Sequence, residues 1–245
     1  MPSLQESMKD VNVEGSICLE AGTGAGNMTR YLVQRGAKLV YSISNNQEHL
    51  DYARSKLSDE EAKRVRFINA DLRRLNFLSD NTIDLITAHM LINVVPAVEL
   101  FLIFKELTRV AKKGALIVIN DYNPLSSYIT KRSRLVEELF RIENAISYLV
   151  EGKPALVWYP SEYITDLLQL SGWKLESVRL LYHKTPWERE LLQEHLEVIK
   201  ETCIKLNDEN TRKNFLQQAL EILNKIGEKE VIYAGSIYSI KMRRK

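Results

Sequence analysis

Little in this chain points to an extracellular scaffold or a membrane protein. Only two cysteines occur in 245 residues, Cys18 and Cys203, and they stand too far apart for a metal-ligand spacing. A disulfide framework and a structural zinc site are excluded, and a reducing cytosol fits. The sequence has no run of about 18 apolar residues that would span a bilayer. Its start, MPSLQESMKDVNVEGS, lacks the apolar core of a signal peptide. Neither sign of charge dominates: 34 Lys and Arg against 32 Asp and Glu leave +2, which advertises neither nucleic acid nor an acidic membrane. Internal repeats and low-complexity linkers are absent. A content of 45% hydrophobic and 27% charged residues is that of a folded cytoplasmic domain and not of a disordered one.

What is present is alternation. SICLEA (16–21), KLVYSIS (38–44), VRFINA (65–70), TIDLITAH (82–89), ALIVIND (115–121), WKLESVRLLYH (173–183) and EVIYAGSIYSIKM (230–242) read as strands. Between them lie helical stretches: NMTRYLVQRG, capped by Asn27 or Thr29 and closed by Gly36; QEHLDYARSKL; and AVELFLIFKELTRVAKKG, closed by Gly114. This pattern implies an α/β fold, a doubly wound and mostly parallel sheet of seven strands, Rossmann-like, with right-handed crossovers. Residues 131–150 carry Leu135, Leu139, Ile142, Ile146 and Leu149 on one helical stripe, and SEYITDLLQLSG is a further helix. Two more helices at 187–206 and 209–226 form an insertion before the last strand. The chain is read as one domain: a cofactor-binding half at 1–125, a substrate side at 126–186, the helical insertion at 187–229, and a final strand with a basic tail at 230–245.

Glu20-Ala-Gly22-Thr23-Gly24-Ala-Gly26 follows the first strand directly and opens a helix. Glycines there permit positive φ and let a ligand approach the backbone, with free helix N–H groups behind them. A dinucleotide fold wants Gly-x-Gly-x-x-Gly and, about 20 positions on, an acid for the ribose. Here Asn27 stands at the third glycine position and the second strand ends Ser42-Ile-Ser44, so both features count against NAD.

The spacing E-x-G-x-G-x-G after the first strand resembles motif I of the class I S-adenosylmethionine-dependent methyltransferases. The resemblance runs over about residues 15–183, most specifically 17–122. It implies a cofactor site of Glu20, Gly22, Thr23, Gly24 and Gly26 in the loop. Ala70, Asp71 and Leu72 follow the third strand, with Asp71 accepting from the adenine amino group, and Ala88 lies near the sulfonium. SISNNQ replaces the acid that usually ends the second strand. It is similar to the variant of cyclopropane fatty acid synthases and of sugar O-methyltransferases, which implies that Ser42 and Gln47 bind the ribose. A serine hydroxyl and a glutamine amide both donate and accept, so they can do this. Capping of the helix that starts near Gln47 is the other role open to these residues. Lys113 and Ala115 depart from the family's proline and glycine in a turn.

Methyl transfer needs alignment of nucleophile, methyl and sulfur, and a hydroxyl acceptor also needs a base. No metal is required. Asp121 and His89, at the carboxyl ends of the fifth and fourth strands, are the candidate bases; a turn role for Asp121 and a loop-fixing role for His89 stand beside that. Asn93 is an orienting group at most, and His183 and His195 read as structural or surface histidines. Trp158, Tyr159 and Tyr163, with Tyr122 and Tyr128, either wall an acceptor or pack a loop. The basic runs Lys131-Arg132-x-Arg134 and Lys241–Lys245 read as solvated ends. With about fifteen residues ahead of the first strand, the helices of 187–229 either cover the cofactor or form a homodimer interface. The function expected is methylation of a small-molecule acceptor. An RNA or protein methyltransferase, a cyclopropane synthase and a non-catalytic S-adenosylmethionine binder remain open.

Overall fold

Buried β-branched runs separated by amphipathic helices leave one economical arrangement, a central sheet with a helix on each crossover. The computed structural model describes residues 2–124, 130–182 and 184–245, with side chains from Leu4 onward. Tyr128 and His183 lie outside the described residues. In chain order the strands are β1 (Ile17–Ala21), β2 (Leu39–Ser44), β3 (Val65–Asn69), β4 (Ile83–His89), β5 (Ala111–Tyr122), β6 (Trp173–Tyr182), β7 (Pro186–Glu188), β8 (Val231–Tyr233) and β9 (Ile237–Arg244). The helices are α1 (Pro2–Ser7), α2 (Asn27–Gln34), α3 (Gln47–Ser55), α4 (Asp59–Ala62), α5 (Ala97–Val110), α6 (Ser133–Glu151), α7 (Ser161–Leu170), α8 (Arg189–Cys203) and α9 (Glu209–Asn224).

Seven strands form one sheet in the order β3-β2-β1-β4-β5-β9-β6, as the alternation implied. The pairings β1–β2, β1–β4, β2–β3 and β4–β5 are parallel, so the carboxyl ends of β1 to β5 share one edge. Register places Ala21 opposite both Ile43 and Ala88, and His89 opposite Asn120. The chain divides into two compact units: residues 1–121, 159–181 and 238–245, which contain the sheet's body, and residues 122–158 and 182–237.

In the first unit Leu4, Met8 and Val13 join Cys18, Met28, Leu32, Val33, Val40 and Val118 in a buried cluster. The short α1, which periodicity did not reveal, is anchored by that burial. In the second unit α6, α8 and α9 pack Leu135, Leu139, Phe140, Ile146, Leu192, Ile199 and Leu223 together. Phe140 is the hub, edge-on to Trp158, Trp187 and His195 at centroid distances of 5.0, 5.1 and 4.6 Å. His195 also meets Glu143 at 2.9 Å, a structural role as its helical position implied. Leu149, expected on the same stripe, is 61% exposed.

Four local expectations are corrected. The helix before β5 ends at Val110, not Gly114, because Ala111 already pairs with Ile83. Register then jumps to Leu85↔Leu116, and Gly114 supplies φ +77° within that irregularity. Helix-favouring Ala-Lys-Lys gave way to strand pairing, as propensity does to tertiary context. The expected last strand splits, β8 pairing antiparallel with β7 while β9 joins the main sheet. Its basic end is no free tail: Lys241 is 7% exposed, Arg243 pairs with Glu176, and Arg244 donates to Asn81. Arg132 of the other basic run pairs with Glu230.

The N-cap of α2 is Gly26, not Asn27 or Thr29. A Cβ on Gly26 would stand 2.5 Å from Ala53 Cβ and 2.8 Å from Ala53 Cα, so α3 fits against bare backbone. Gly26→Ala is therefore expected to destabilise the fold by about 1–3 kcal/mol, through overlap plus a positive φ. Adding Ala53→Gly should recover part of that loss in urea denaturation, since it removes the clash with Ala53 Cβ and leaves that with Cα; unchanged stability in Gly26→Ala would contradict the packing.

Candidate functional site

The glycine turn connects β1 to α2, and its shape follows from what lies beneath it. Glu20 on β1 is opposite Ser42 on β2, and parallel strands in register send the two side chains to one face. Thr29, one turn into α2, comes down on that face. Ser42 Oγ donates to Glu20 Oε2 at 2.7 Å, Thr29 Oγ1 contacts the same oxygen, and Thr29 N–H donates to Oε1 at 3.1 Å. Thr23 Oγ1 and Thr29 Oγ1 lie 2.8 and 3.0 Å from Ser42 Oγ. Glu20 is 2% exposed and Ser42 and Thr29 are fully buried.

Protons can be counted in this cluster. Four oxygen–oxygen contacts join three hydroxyls and one carboxyl. Three hydroxyl protons leave one contact without a donor; a protonated Glu20 supplies the fourth. Burial acts in the same direction and pushes the Glu20 carboxyl up to about 7, against the lowering effect of the Thr29 and Ser42 hydrogen bonds.

Above this cluster the turn is pinned to β2 by Gly22 N–H and Thr23 N–H, which both donate to Ile43 O at 3.0 Å. Gly22, Gly24 and Gly26 take φ of +84°, +48° and +72°. The three are not equivalent. Cβ atoms on Gly22 and Gly26 would meet Leu91 and Ala53, whereas one on Gly24 would meet nothing within 4 Å. Gly24 thus opens onto free space at the start of a helix, the arrangement that receives a ligand against backbone. The N-terminal amides of α2 lie behind it; the N-cap, Gly26, has no side chain to take them, and Glu20 takes only that of Thr29.

The expected ribose pair separates. Ser42 is committed to Glu20, Thr23 and Thr29, so its hydroxyl braces the turn and has no capacity left for a ribose. Gln47 is exposed at the first position of α3, with Nε2 on Asp51 at 2.9 Å and Oε1 taking a bond from Asn69 at 3.3 Å. Capping of α3 falls to Asn46, whose side chain accepts from Glu48 N–H. Asp71, after β3, is held by Arg73 with Nη2 at 2.6 Å, and that hydrogen bond holds its carboxyl below the usual range. Ala70 and Leu72 flank it, half-buried. Asp71 also borders a polar cleft of about 490 Å³ with Arg73, Arg74, Leu102, Lys105 and Glu106; no other expected site residue lines that cleft. Ala88 is 1% exposed at the end of β4, in register with Ala21.

Both expected bases have contacts of their own. Asp121 is 1% exposed, and its Oδ2 accepts from the amides of Ile92 at 2.7 Å and Asn93 at 3.2 Å. Its carboxylate therefore holds the turn after β4 instead of standing open to an acceptor. His89 is half-buried, and burial pulls its pKa down to about 4, so the imidazole is neutral at pH 7. Its Nδ1 lies 3.2 Å from Asn120 Nδ2. Nothing local in the sequence singles out Asn120 beside Asp121, and Thr29, a cap candidate by position, instead bonds Glu20. The expected aromatic wall resolves into packing within each unit: Tyr159 stacks on Tyr163 and donates to Val95 O, while Tyr122 stacks on Trp187.

Among the described residues no group of three His, Cys, Asp or Glu is placed to hold a metal, and no helix is long and apolar enough to cross a membrane.

Residues 18–114 match a family model described as a methyltransferase domain. A phosphatidylethanolamine N-methyltransferase from Cereibacter sphaeroides is 32% identical over 146 residues, 56% of this chain and 65% of that protein. The chain thus spans a little under two thirds of that relative. In fold it resembles an S-adenosylmethionine-dependent methyltransferase from Mesorhizobium loti, with TM-score 0.60, 18% identity, and 99% and 96% of the two chains covered. It also resembles the geranyl diphosphate C-methyltransferase of Streptomyces coelicolor, with TM-score 0.60, 12% identity, and 99% and 79% covered. Residues 18–114 thus resemble a methyltransferase domain, and the fold is similar to that of these S-adenosylmethionine-dependent methyltransferases.

The buried glutamate is testable apart from any ligand. Its carboxyl is raised in the folded state, so the native protein holds more protons than the unfolded chain between about pH 4.5 and 7, and stability falls as pH rises through that window. His89, lowered to about 4, contributes the opposite slope between about 4 and 6.5. The comparison therefore uses variants. Glu20→Gln should lose the falling component, so its stability relative to wild type improves steadily from pH 5 to pH 8 in urea denaturation. A pH-independent difference would refute the raised carboxyl.

Proposed function

We propose that this chain is an S-adenosylmethionine-dependent methyltransferase acting on a small-molecule acceptor. The observation that carries the reading is Gly24, open to free space at a helix start and braced from below by buried Glu20, within a segment that matches a methyltransferase domain. When bound, S-adenosylmethionine supplies an electrophilic methyl group on a sulfonium. The Gly22–Gly26 turn and the first amides of α2 hold its amino-acid end. Gln47 meets the ribose, and Asp71 accepts from the adenine amino group, exchanging its bond to Arg73 for that contact. Ala88, small and at the strand edge, leaves room beside the sulfur. Alignment is the chief catalytic device in this account: well-oriented reactants account for roughly 7–11 kcal/mol of a barrier.

An amine-bearing phospholipid head group is a second acceptor class, favoured by the 32% identity to a phosphatidylethanolamine N-methyltransferase. An amine needs less proton removal than a hydroxyl, in keeping with a site whose two candidate bases are one buried and one engaged.

Calorimetry tests the cofactor. S-adenosylhomocysteine should bind and NAD should not. Gly24→Val should abolish binding in a folded protein, because the branched side chain fills the open space; unchanged affinity would place the ligand elsewhere. Gln47→Ala and Asp71→Ala should each weaken binding by about 1–3 kcal/mol. Tight NAD binding with no response to S-adenosylhomocysteine would overturn the proposal.

A further inference from the structure

We infer that Asn120 is a positioning residue that fixes His89 in the tautomer with its proton on Nε2, so that His89 offers a hydrogen-bond donor at the carboxyl edge of the sheet. The proton pattern starts at α1. Ser7 Oγ donates to Leu4 O at 2.8 Å, so toward Asn120 it can only accept. The atom of Asn120 that faces it, 2.8 Å away, is Nδ2. That same nitrogen lies 3.2 Å from His89 Nδ1. An amide nitrogen carries two protons and no usable lone pair: one goes to Ser7 and the other to His89. Nδ1 of His89 is then the acceptor, and in a neutral imidazole the proton sits on Nε2.

Three further observations agree. The strand register sets His89 directly opposite Asn120, so the pairing is built into β4 and β5. Asn120 is fully buried and its Oδ1 meets no partner among the described residues, so its amide is held by the two N–H bonds alone. His89 itself is half-buried, and no hydrogen bond of its Nε2 occurs among the described residues, which leaves that N–H available to a ligand.

The chemistry differs from that of a base. An Nε2–H cannot take a proton from a nucleophile. It recognises an oxygen that presents lone pairs: phosphoryl, carboxylate or carbonyl. On the methyltransferase reading, on which this last step alone rests, His89 anchors such an oxygen of the acceptor one residue beyond Ala88, and the methylated atom supplies its own lone pair.

The test reads the tautomer directly. Protein labelled with ¹⁵N-histidine gives two-bond ¹H–¹⁵N correlations that distinguish Nε2–H from Nδ1–H, and His89→Ala identifies the signal among the four histidines. Wild type should show the Nε2–H pattern for this residue, without titration between about pH 5.5 and 8.5. An Nδ1–H pattern, or protonation in that range, would overturn the inference. Asn120→Asp places an acceptor opposite Nδ1 and should move the proton there and raise the pKa. Asn120→Ala should leave a mixture of tautomers. Should neither variant fold, the wild-type spectrum alone still decides. A wild-type pattern retained in folded Asn120→Ala would remove Asn120 from the account. In turnover, His89→Ala should raise the acceptor KM roughly ten- to a hundredfold and leave affinity for S-adenosylhomocysteine within about twofold. A fall in kcat with unchanged KM would contradict the donor role. Absence of methyl transfer in wild type would instead count against the methyltransferase reading, and the spectra would stand.

Discussion

A single buried carboxyl organises the site. Glu20 sits where β1, β2 and α2 converge, and it gathers the hydroxyls of Ser42 and Thr29 and the Thr29 amide. Removing a carboxyl from water is costly unless it is hydrogen-bonded or neutral, and this one is both bonded and pushed toward neutrality. The strain-prone part of the fold, three glycines at positive φ, lies directly over it. The bonds of Gly22 and Thr23 to Ile43 O and the cluster below them keep that turn in one conformation. A ligand meeting Gly24 then meets backbone already ordered, and the ordering entropy has been met by folding instead of binding.

Much of this was legible in the amino-acid order. Strand-like runs and helical stripes predicted the sheet and its crossovers, because burial imposes periods of two and 3.6 that survive in sequence. The turn was legible because few residues besides glycine adopt its backbone. What escaped were relations between distant residues. Nothing local to Ser42 says that its hydroxyl is taken by Glu20 and Thr29; that follows only from the β1–β2 register and the docking of α2. Asp121 looked like a base because it ends a strand at the right edge, and it is instead consumed by two amides of the following turn. Gly114 looked like a helix stop, since helix propensity says nothing of the pairing of Ala111 with Ile83.

Together the corrections favour a site that relies on placement. Asp121 supports the turn after β4, Asn120 and Ser7 govern His89, and Glu20 holds the glycine turn. The acidic groups nearest the expected chemistry are thus engaged in holding shape, and the imidazole is itself held through Nδ1, with Nε2 left open. Such a site suits an acceptor that brings its own lone pair, and it suits less well a hydroxyl that must be stripped of its proton.

The most direct measurement is the fate of a labelled methyl group. Purified protein is incubated with tritiated S-adenosylmethionine and cell extract, and the products are separated into water-soluble metabolites, lipids, RNA and protein. The account predicts label in a small-molecule fraction, water-soluble or lipid, lost on Gly24→Val. Label confined to RNA or protein, or no transfer at all by a protein that binds S-adenosylhomocysteine, would contradict it.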